Sequence, residues 1–244
     1  MNESLLHQMR SSSPRFGTWL SLGSPIVSEL AAHCGLHWIL IDLEHGSMDY
    51  SGVLPMLQAA SGSPMATIVR VPSHEPSLIA RILDWGATGI MVPHVSHREQ
   101  ALSLVQATRY PPQGIRGHSR TVRAYAYGLR PPSDQSPPLL FAQIEDAEAV
   151  ENIDEIASVD GIDTLFVGPS DLQLSLSATS SKTTYEEALE RIVASAQRHH
   201  RQAGILNRDP ENTANLLQKG FTKIAINSDL SMLRTAFLKI VKEC

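Results

Sequence analysis

Two carboxylates, Glu145 and Asp171, stand at the ends of consecutive apolar runs, Leu139–Ile144 and Thr164–Val167, the second reached through Gly168-Pro169-Ser170. Hard oxygen donors in an incomplete set suit Mg²⁺ or Mn²⁺, with water and substrate oxygens completing the shell. Co²⁺ or Zn²⁺ could substitute, although no cysteine or second histidine appears beside them in the sequence. A second group of ionisable residues follows Trp38-Ile39-Leu40-Ile41, in the segment Asp42-Leu43-Glu44-His45-Gly46. Histidine titrates near neutrality, so His45 is the natural proton acceptor, or the residue that orients a basic water. Asp42, three residues earlier, is placed to orient the imidazole. Arg70 ends the run from Ala66 and offers a fixed cation to a carboxylate or a developing oxyanion. A metal, an arginine and a histidine together suit chemistry through an enolate. The metal grips a 2-oxo carboxylate, its charge and Arg70 stabilise the enolate oxygen, and a proton moves nearby.

Each residue also has a structural reading. Arg70 could pair with a neighbouring acid, Glu145 could cap the helix that begins beside it, and Trp19 could pack rather than wall a pocket. What makes a common structural explanation improbable is that several different strands end in ionisable groups.

The elements that must position these residues follow from periodicity. Short apolar runs read as strands at Phe16–Leu20, Trp38–Leu43, Ala66–Val71, Gly89–Pro93, Leu139–Ile144, Thr164–Val167, Ala203–Leu206 and Lys223–Ile226. Between them lie amphipathic helices: one starting at Ser24-Pro25, then Tyr50–Ser61, Glu75–Trp85 closed by Gly86, a Ser96-capped helix to Thr108, Ala147–Ala157, Tyr185–His200 and Pro210–Lys219. A last one carries Leu230, Leu233, Phe237 and Ile240. Residues 118–138 read as a loop with a short helix near Val122–Tyr127, and Ser175–Thr184 as a polar loop. Strand and helix alternating about eight times over ~250 residues is the pattern of a single-domain (β/α)8 TIM barrel spanning 1–244, an α/β fold. The competing fold, a doubly wound open sheet, is disfavoured because no Gly-x-Gly-x-x-Gly turn follows the first strand.

Composition narrows the function classes. With a net charge of −5 the chain is no candidate for nucleic-acid binding, and no apolar run is long enough for a membrane helix. Its two cysteines, Cys34 and Cys244, cannot build a disulfide framework, and a cytoplasmic protein is expected. A Schiff-base aldolase needs a lysine inside the barrel. The five lysines are Lys182 in a polar loop, Lys223 at the start of its strand, and Lys219, Lys239 and Lys242 on or beside helices, so imine catalysis is not expected. Arg109, Arg116, Arg120, Arg123 and Arg130 read as a solvated cluster, with binding of an acidic substrate or a neighbouring subunit as the alternative.

The residues resemble those of the metal-dependent class II pyruvate aldolases of the HpcH/HpaI type, typified by 4-hydroxy-2-oxoheptanedioate aldolase. The resemblance covers nearly the whole chain. It is carried by Ile41-Asp42-Leu43-Glu44-His45, Val69-Arg70-Val71-Pro72, Leu83-Asp84-Trp85-Gly86-Ala87, Val92-Pro93, Tyr110-Pro111-Pro112 to Arg116-Gly117, Gln143-Ile144-Glu145 and Val167-Gly168-Pro169-Ser170-Asp171-Leu172, in that order.

The resemblance implies cleavage of a 4-hydroxy-2-oxo acid to pyruvate and an aldehyde. Glu145 and Asp171 would be the metal ligands, His45 the acid/base residue and Arg70 the enolate stabiliser. Gln143 and the backbone at Gly168, Pro169 and Ser170 would line the pyruvate pocket; apart from the resemblance, Trp19 near the end of the first strand and Leu206 at the end of the seventh are further candidates to border the substrate. The resemblance further implies that Asp84 reaches the site of an adjacent subunit. The last helix would be exchanged between subunits of a homo-hexamer, a trimer of dimers.

The chain departs from that pattern at His118-Ser119-Arg120-Thr121-Val122-Arg123, where small residues are common, at Ser170 and in the 175–184 loop, all of which bear on the second substrate. The same family includes condensing enzymes, the siderophore-type citrate synthase and macrophomate synthase, that redirect the enolate. A non-enzymatic alternative, a barrel kept as a binding protein, predicts a broken site.

Overall fold

The computed structural model describes residues 3–130, 136–179 and 182–243. Eight parallel strands close into a barrel in sequence order: β1 (Arg15–Leu20), β2 (Trp38–Asp42), β3 (Ala66–Arg70), β4 (Gly89–Val92), β5 (Leu139–Ile144), β6 (Thr164–Val167), β7 (Gln202–Asn207) and β8 (Lys223–Ser228), with β8 pairing back to β1. The flanking helices are α1 (Glu3–Arg10), α2 (Pro25–His33), α3 (Tyr50–Ala59), α4 (Pro76–Asp84), α5 (Arg98–Thr108), α6 (Ala147–Glu151), α7 (Ile153–Ala157), α8 (Pro169–Ala178), α9 (Tyr185–Arg198), α10 (Thr213–Lys219) and α11 (Asp229–Glu243). Among the described residues no helix is long and apolar enough to cross a membrane.

The strands' period of two divides the core and positions the site. In β2, Ile39 and Ile41 join the layer between sheet and helices, while Trp38 and Leu40 point inward with Ala66, Ile68, Phe141 and Phe166. The same alternation sends Asp42, Arg70 and Gln143 into the barrel at the upper ends of their strands, where Asp42 and Arg70 are register partners. The interior below them is packed with aromatic rings, Trp38 lying 5.9 Å from Phe141 and 6.2 Å from Phe166 between centroids. Leu6 and Met9 of α1 join that interior cluster. Lys223, at the start of β8, donates to the carbonyls of Ser11 and Ser13 at 2.8 and 3.2 Å. The barrel is therefore filled at the end opposite the site.

Several local expectations are corrected. The stretch 147–157 is two helices broken at Asn152, whose amide donates to the Ser96 carbonyl. The helix after β4 is capped by His97, with Gln100 answering in a capping box, and not by Ser96, whose hydroxyl goes to Asp146. The expected loop 175–184 is helical through Ala178, because burial of Leu172 and Leu176 on one face of α8 outweighs the poor propensity of its serines. The rest of that loop includes 180–181, and the 118–138 loop includes 131–135, which lie outside the described residues, as does Cys244. Near Val122 a single short 3-10 segment, Arg123–Gly128, takes the place of a helix, with Ala126 and Tyr127 in left-handed conformations.

The arginine cluster is not simply solvated. Arg116 is buried and donates to Asp84 at 2.7 Å, and Arg123 donates to the Trp85 carbonyl at 2.7 Å and to Ser61.

Candidate active site

A cavity of about 830 Å³ opens at the C-terminal ends of the strands. Trp19, Asp42, His45, Arg70, Gln143, Gly168, Pro169, Ser170, Asp171 and Leu206 all line it. The structure thus brings ten of the sequence-derived candidates to one place. Asp84 stands apart at the end of α4, paired with Arg116 and lining a separate cavity of about 630 Å³.

The central feature is a clamp around Arg70. Its Nε and Nη2 donate to the two oxygens of Asp42 at 2.9 and 2.7 Å, and Nη1 lies 2.9 Å from Glu44 Oε2. The guanidinium carbon sits 4.8 Å from the centre of the Trp19 ring, and the Trp19 indole N–H also donates to Asp42 at 3.0 Å. Arg70 and Asp42 are both buried. Burial raises the Asp42 carboxyl, but the Arg70 guanidinium and the Trp19 indole more than offset it and hold the group below the ordinary carboxylate range.

This geometry changes the role expected for Asp42. Its side chain is committed to Arg70 and Trp19, and what it accepts from His45 is the backbone N–H, at 3.3 Å, not an imidazole proton. The His45 ring is exposed at the cavity wall and has no hydrogen-bond partner among the described residues.

Glu145 is buried one residue past β5. One oxygen accepts from the His94 backbone at 2.8 Å and the other from Gln143 Nε2 at 2.5 Å. Burial pushes the carboxyl up, the His94 amide and imidazole pull it down, and Glu44 and Asp171 push it up again; the net shift is upward. Two acids, Glu44 and Asp171, act on the buried Glu145 carboxyl, a repulsion that a divalent cation would relieve.

Two further observations fit. Gln143 Oε1 is buried without a partner, and a Cβ on Gly168 would come within 2.6 Å of Glu145 Oε2, so only glycine lets the β6–α8 turn pass so close. Among the described residues no three His, Cys, Asp or Glu side chains converge closely enough to enclose an ion alone. Such an ion would therefore complete its shell with water and substrate oxygens.

Sequence reasoning missed His94. Its Nδ1 lies 3.3 Å from Glu145 Oε1, contrary to the expectation that no second histidine stands beside these carboxylates. Its position, two residues past β4, carries the same strand-end signature as Asp42 and Arg70. Lys223 is where the sequence places it, at the start of β8 and far from the cavity. Burial, with Arg15 nearby, pushes its ammonium down to about 7.

Comparison with known proteins agrees with this architecture. The family model described as HpcH/HpaI aldolase/citrate lyase matches residues 15–236. A 5-keto-4-deoxy-D-glucarate aldolase of Klebsiella pneumoniae is 38% identical over 232 residues, covering 93% of this chain and 90% of the relative. The solved structure of a Burkholderia cenocepacia HpcH/HpaI aldolase/citrate lyase family protein superposes with a TM-score of 0.91 at 34% identity, covering 99% of each chain. That of the citrate synthase SbnG gives 0.82 at 28% identity, covering 97% of this chain and 96% of the other. A match running from β1 into α11, on a barrel of the same topology, places this chain in the HpcH/HpaI aldolase/citrate lyase family.

Proposed function

We propose that this carbon–carbon lyase cleaves 4-hydroxy-2-oxo acids to pyruvate and an aldehyde through an enolate held at the floor of the barrel cavity. The observation that carries the reading is the Arg70 clamp: a buried guanidinium fixed by Asp42, Glu44 and Trp19 faces the cavity beside Gln143 and the β6–α8 turn. A cation held without rotational freedom stabilises a developing oxyanion with little reorganisation.

Glu145 and Asp171 would hold a divalent metal, Mg²⁺ or Mn²⁺, with Co²⁺ or Zn²⁺ able to substitute. When bound, the ion would supply Lewis-acid polarisation of the 2-oxo acid. Gln143 and the backbone of Gly168, Pro169 and Ser170, at the N-terminus of α8, receive the substrate's carboxylate end. Trp19 and Leu206 wall the chain of the substrate. His45, directly or through a water, takes the proton from the 4-hydroxyl as the C3–C4 bond breaks, and the electron pair passes into the pyruvate enolate beside Arg70. Protonation at C3 then releases pyruvate.

The free His45 ring and the outlying Asp84 support assembly. In a homo-hexamer built as a trimer of dimers, Asp84 of one copy would orient His45 of another. α11 would be exchanged between copies, since its outer turns expose Phe237, Leu238, Ile240 and Val241. Small-molecule acids and aldehydes are the partners, and a cytoplasmic location suits them.

The condensing-enzyme reading uses the same enolate. It is weaker, because the 5-keto-4-deoxy-D-glucarate aldolase of Klebsiella pneumoniae shares 38% identity and the citrate synthase SbnG 28%. A non-catalytic barrel would not keep Arg70, Asp42, Glu145 and His45 together. Pyruvate release from 4-hydroxy-2-oxo acids, measured on metal-stripped protein before and after Mg²⁺, Mn²⁺ or Co²⁺ is restored, tests the proposal. Metal-dependent release supports it, and no release with any metal overturns it.

A further inference from the structure

A second cavity, of about 290 Å³, lies at the opposite end of the barrel from the candidate active site and is bordered by Arg10, Arg109, Asp160, Asp163, His200 and Arg201. Asp163 directly precedes β6 and Arg201 directly precedes β7, while Arg10 ends α1 and Arg109 follows α5. The fold thus brings three guanidinium groups from separate elements to one hollow at the N-terminal face of the sheet.

Two of the three are occupied by the chain itself. Arg10 donates from Nε to Asp163 Oδ1 and from Nη2 to the Pro137 carbonyl, both at 2.7 Å. Arg201 donates from Nε and Nη2 to the carbonyls of Ala157 and Val159 at 3.0 and 3.2 Å, and its Nη1 lies 3.6 Å from Asp160. Asp163 is committed as well, since its other oxygen accepts from Leu140 N at 2.9 Å. Arg109 is different. Its Nη1 is buried, and among the described residues its side chain has no hydrogen bond or ion pair. Burial pushes the guanidinium below its ordinary range; Asp163 and Asp160 oppose the shift, Arg10 adds to it, and the net is downward. The wall over it is closely fitted. Gly161 turns there at φ +106°, and a Cβ on it would come within 2.9 Å of Val105 and 3.3 Å of Arg109 Nη2.

Three arginines against two aspartates leave one positive charge in the hollow, and the unpartnered donor belongs to the residue that carries it. Water can accept from Nη1 but leaves the charge unmet. An anion answers both. Its donors would come from the ends of α1 and α5 and the start of β7, on different sides of the space. A carboxylate offers acceptors in one plane, whereas a tetrahedral oxyanion offers them in every direction. We infer that Arg109, flanked by Arg10 and Arg201, binds a phosphate group in this hollow, free or carried on a small ester. The site is separate from that of the reaction and does not depend on which reaction is catalysed. A ligand held there would tie α1, which closes the bottom of the barrel, to α5 and to the strand ends beside it, so its effect would be on stability.

The test is thermal unfolding of the full-length, metal-free protein in chloride buffer and in phosphate at matched ionic strength. For a Kd of about 1 mM, about 20 mM phosphate should raise the melting temperature by roughly 4–7 °C at this chain length. Phosphate also stabilises proteins by exclusion from their surface, so Arg109→Met and Arg109→Gln supply the baseline. Both should lose most of the gain, Arg109→Lys should keep part of it, and in chloride Arg109→Met should melt no lower than wild type, because it removes an unmet buried charge. Glycerol 3-phosphate run beside inorganic phosphate tells an ester site from a free-ion site by the larger Arg109-dependent gain, and either supports the inference. Equal gains in wild type and in the Arg109→Met and Arg109→Gln variants overturn it. So does a gain that survives in Arg109→Met but is lost in Arg70→Ala, which would put the ion in the catalytic cavity. An equal Arg109-dependent gain with acetate overturns the assignment to phosphate.

Discussion

Arg70 and Asp42 are adjacent register partners on β3 and β2, joined by two parallel hydrogen bonds of 2.9 and 2.7 Å inside the barrel. The pair holds the guanidinium in one orientation, and the carboxylate's charge keeps the site from carrying an isolated buried cation. Asp42→Asn keeps the shape but leaves the buried Arg70 with Glu44 as its remaining carboxylate, a change that costs up to about 3–5 kcal/mol, the scale of breaking a buried pair. Denaturant unfolding should show a loss of that order. Arg70→Ala should lower kcat by about 10²–10³, the scale of losing one oxyanion donor. Turnover in Arg70→Ala equal to wild type would remove the guanidinium from the mechanism.

The carboxylates of Glu145 and Asp171 should carry metal affinity as well as turnover. Calorimetric titration of Mn²⁺ into metal-free protein should give a single site. Glu145→Gln and Asp171→Asn should each weaken it by more than the roughly 10–100-fold typical of outer-shell changes. Unaltered Mn²⁺ binding in both variants would place the ion elsewhere.

Asp84 and His45 provide a test of assembly. His45→Ala and Asp84→Ala should each be nearly inactive, with losses of about 10²–10⁴ for the proton-transfer residue. Co-expressed, the two should form mixed assemblies in which about a quarter of the sites have both residues intact, and activity should return in that proportion. No recovery from mixtures shown to contain both chains would mean that Asp84 does not serve a neighbour's site.

Lys223 makes a prediction about pH. Its ammonium is pushed down to about 7 in the folded chain, while an unfolded lysine titrates near 10.4. Below about pH 7 both states hold the proton, and between about 7 and 10 only the unfolded state does, so stability should rise with pH across that window. The contribution is fully present above about pH 10 and is lost as pH falls back to about 7. Its size should be a few kcal/mol, and the Lys223→Met variant should lack it. Parallel pH profiles of unfolding free energy for the two proteins would contradict the assignment.

What the sequence made legible was governed by short-range pattern. The period of two in Trp38-Ile39-Leu40-Ile41-Asp42 puts Asp42 on the inner face of β2, and the same parity carries Arg70 and Gln143 inward. Partners set by the closed barrel were not legible. Nothing local says that Asp42 turns to Arg70, 28 residues on, and leaves His45 free. Nor does it say that His94 meets Glu145 across 51 positions. Arg116 looked solvated because its acid, Asp84, lies 32 residues away. The serine-rich end of α8 read as loop because propensity was visible and the burial of Leu176 was not.

α11 departs from the barrel with Phe237 and Val241 facing water at 62% and 73% exposure. In the proposed hexamer these apolar side chains would be covered by another copy, and mass action would then enter the folding equilibrium. The melting temperature of this protein should therefore climb with its concentration, and the dilute chain should be the fragile one.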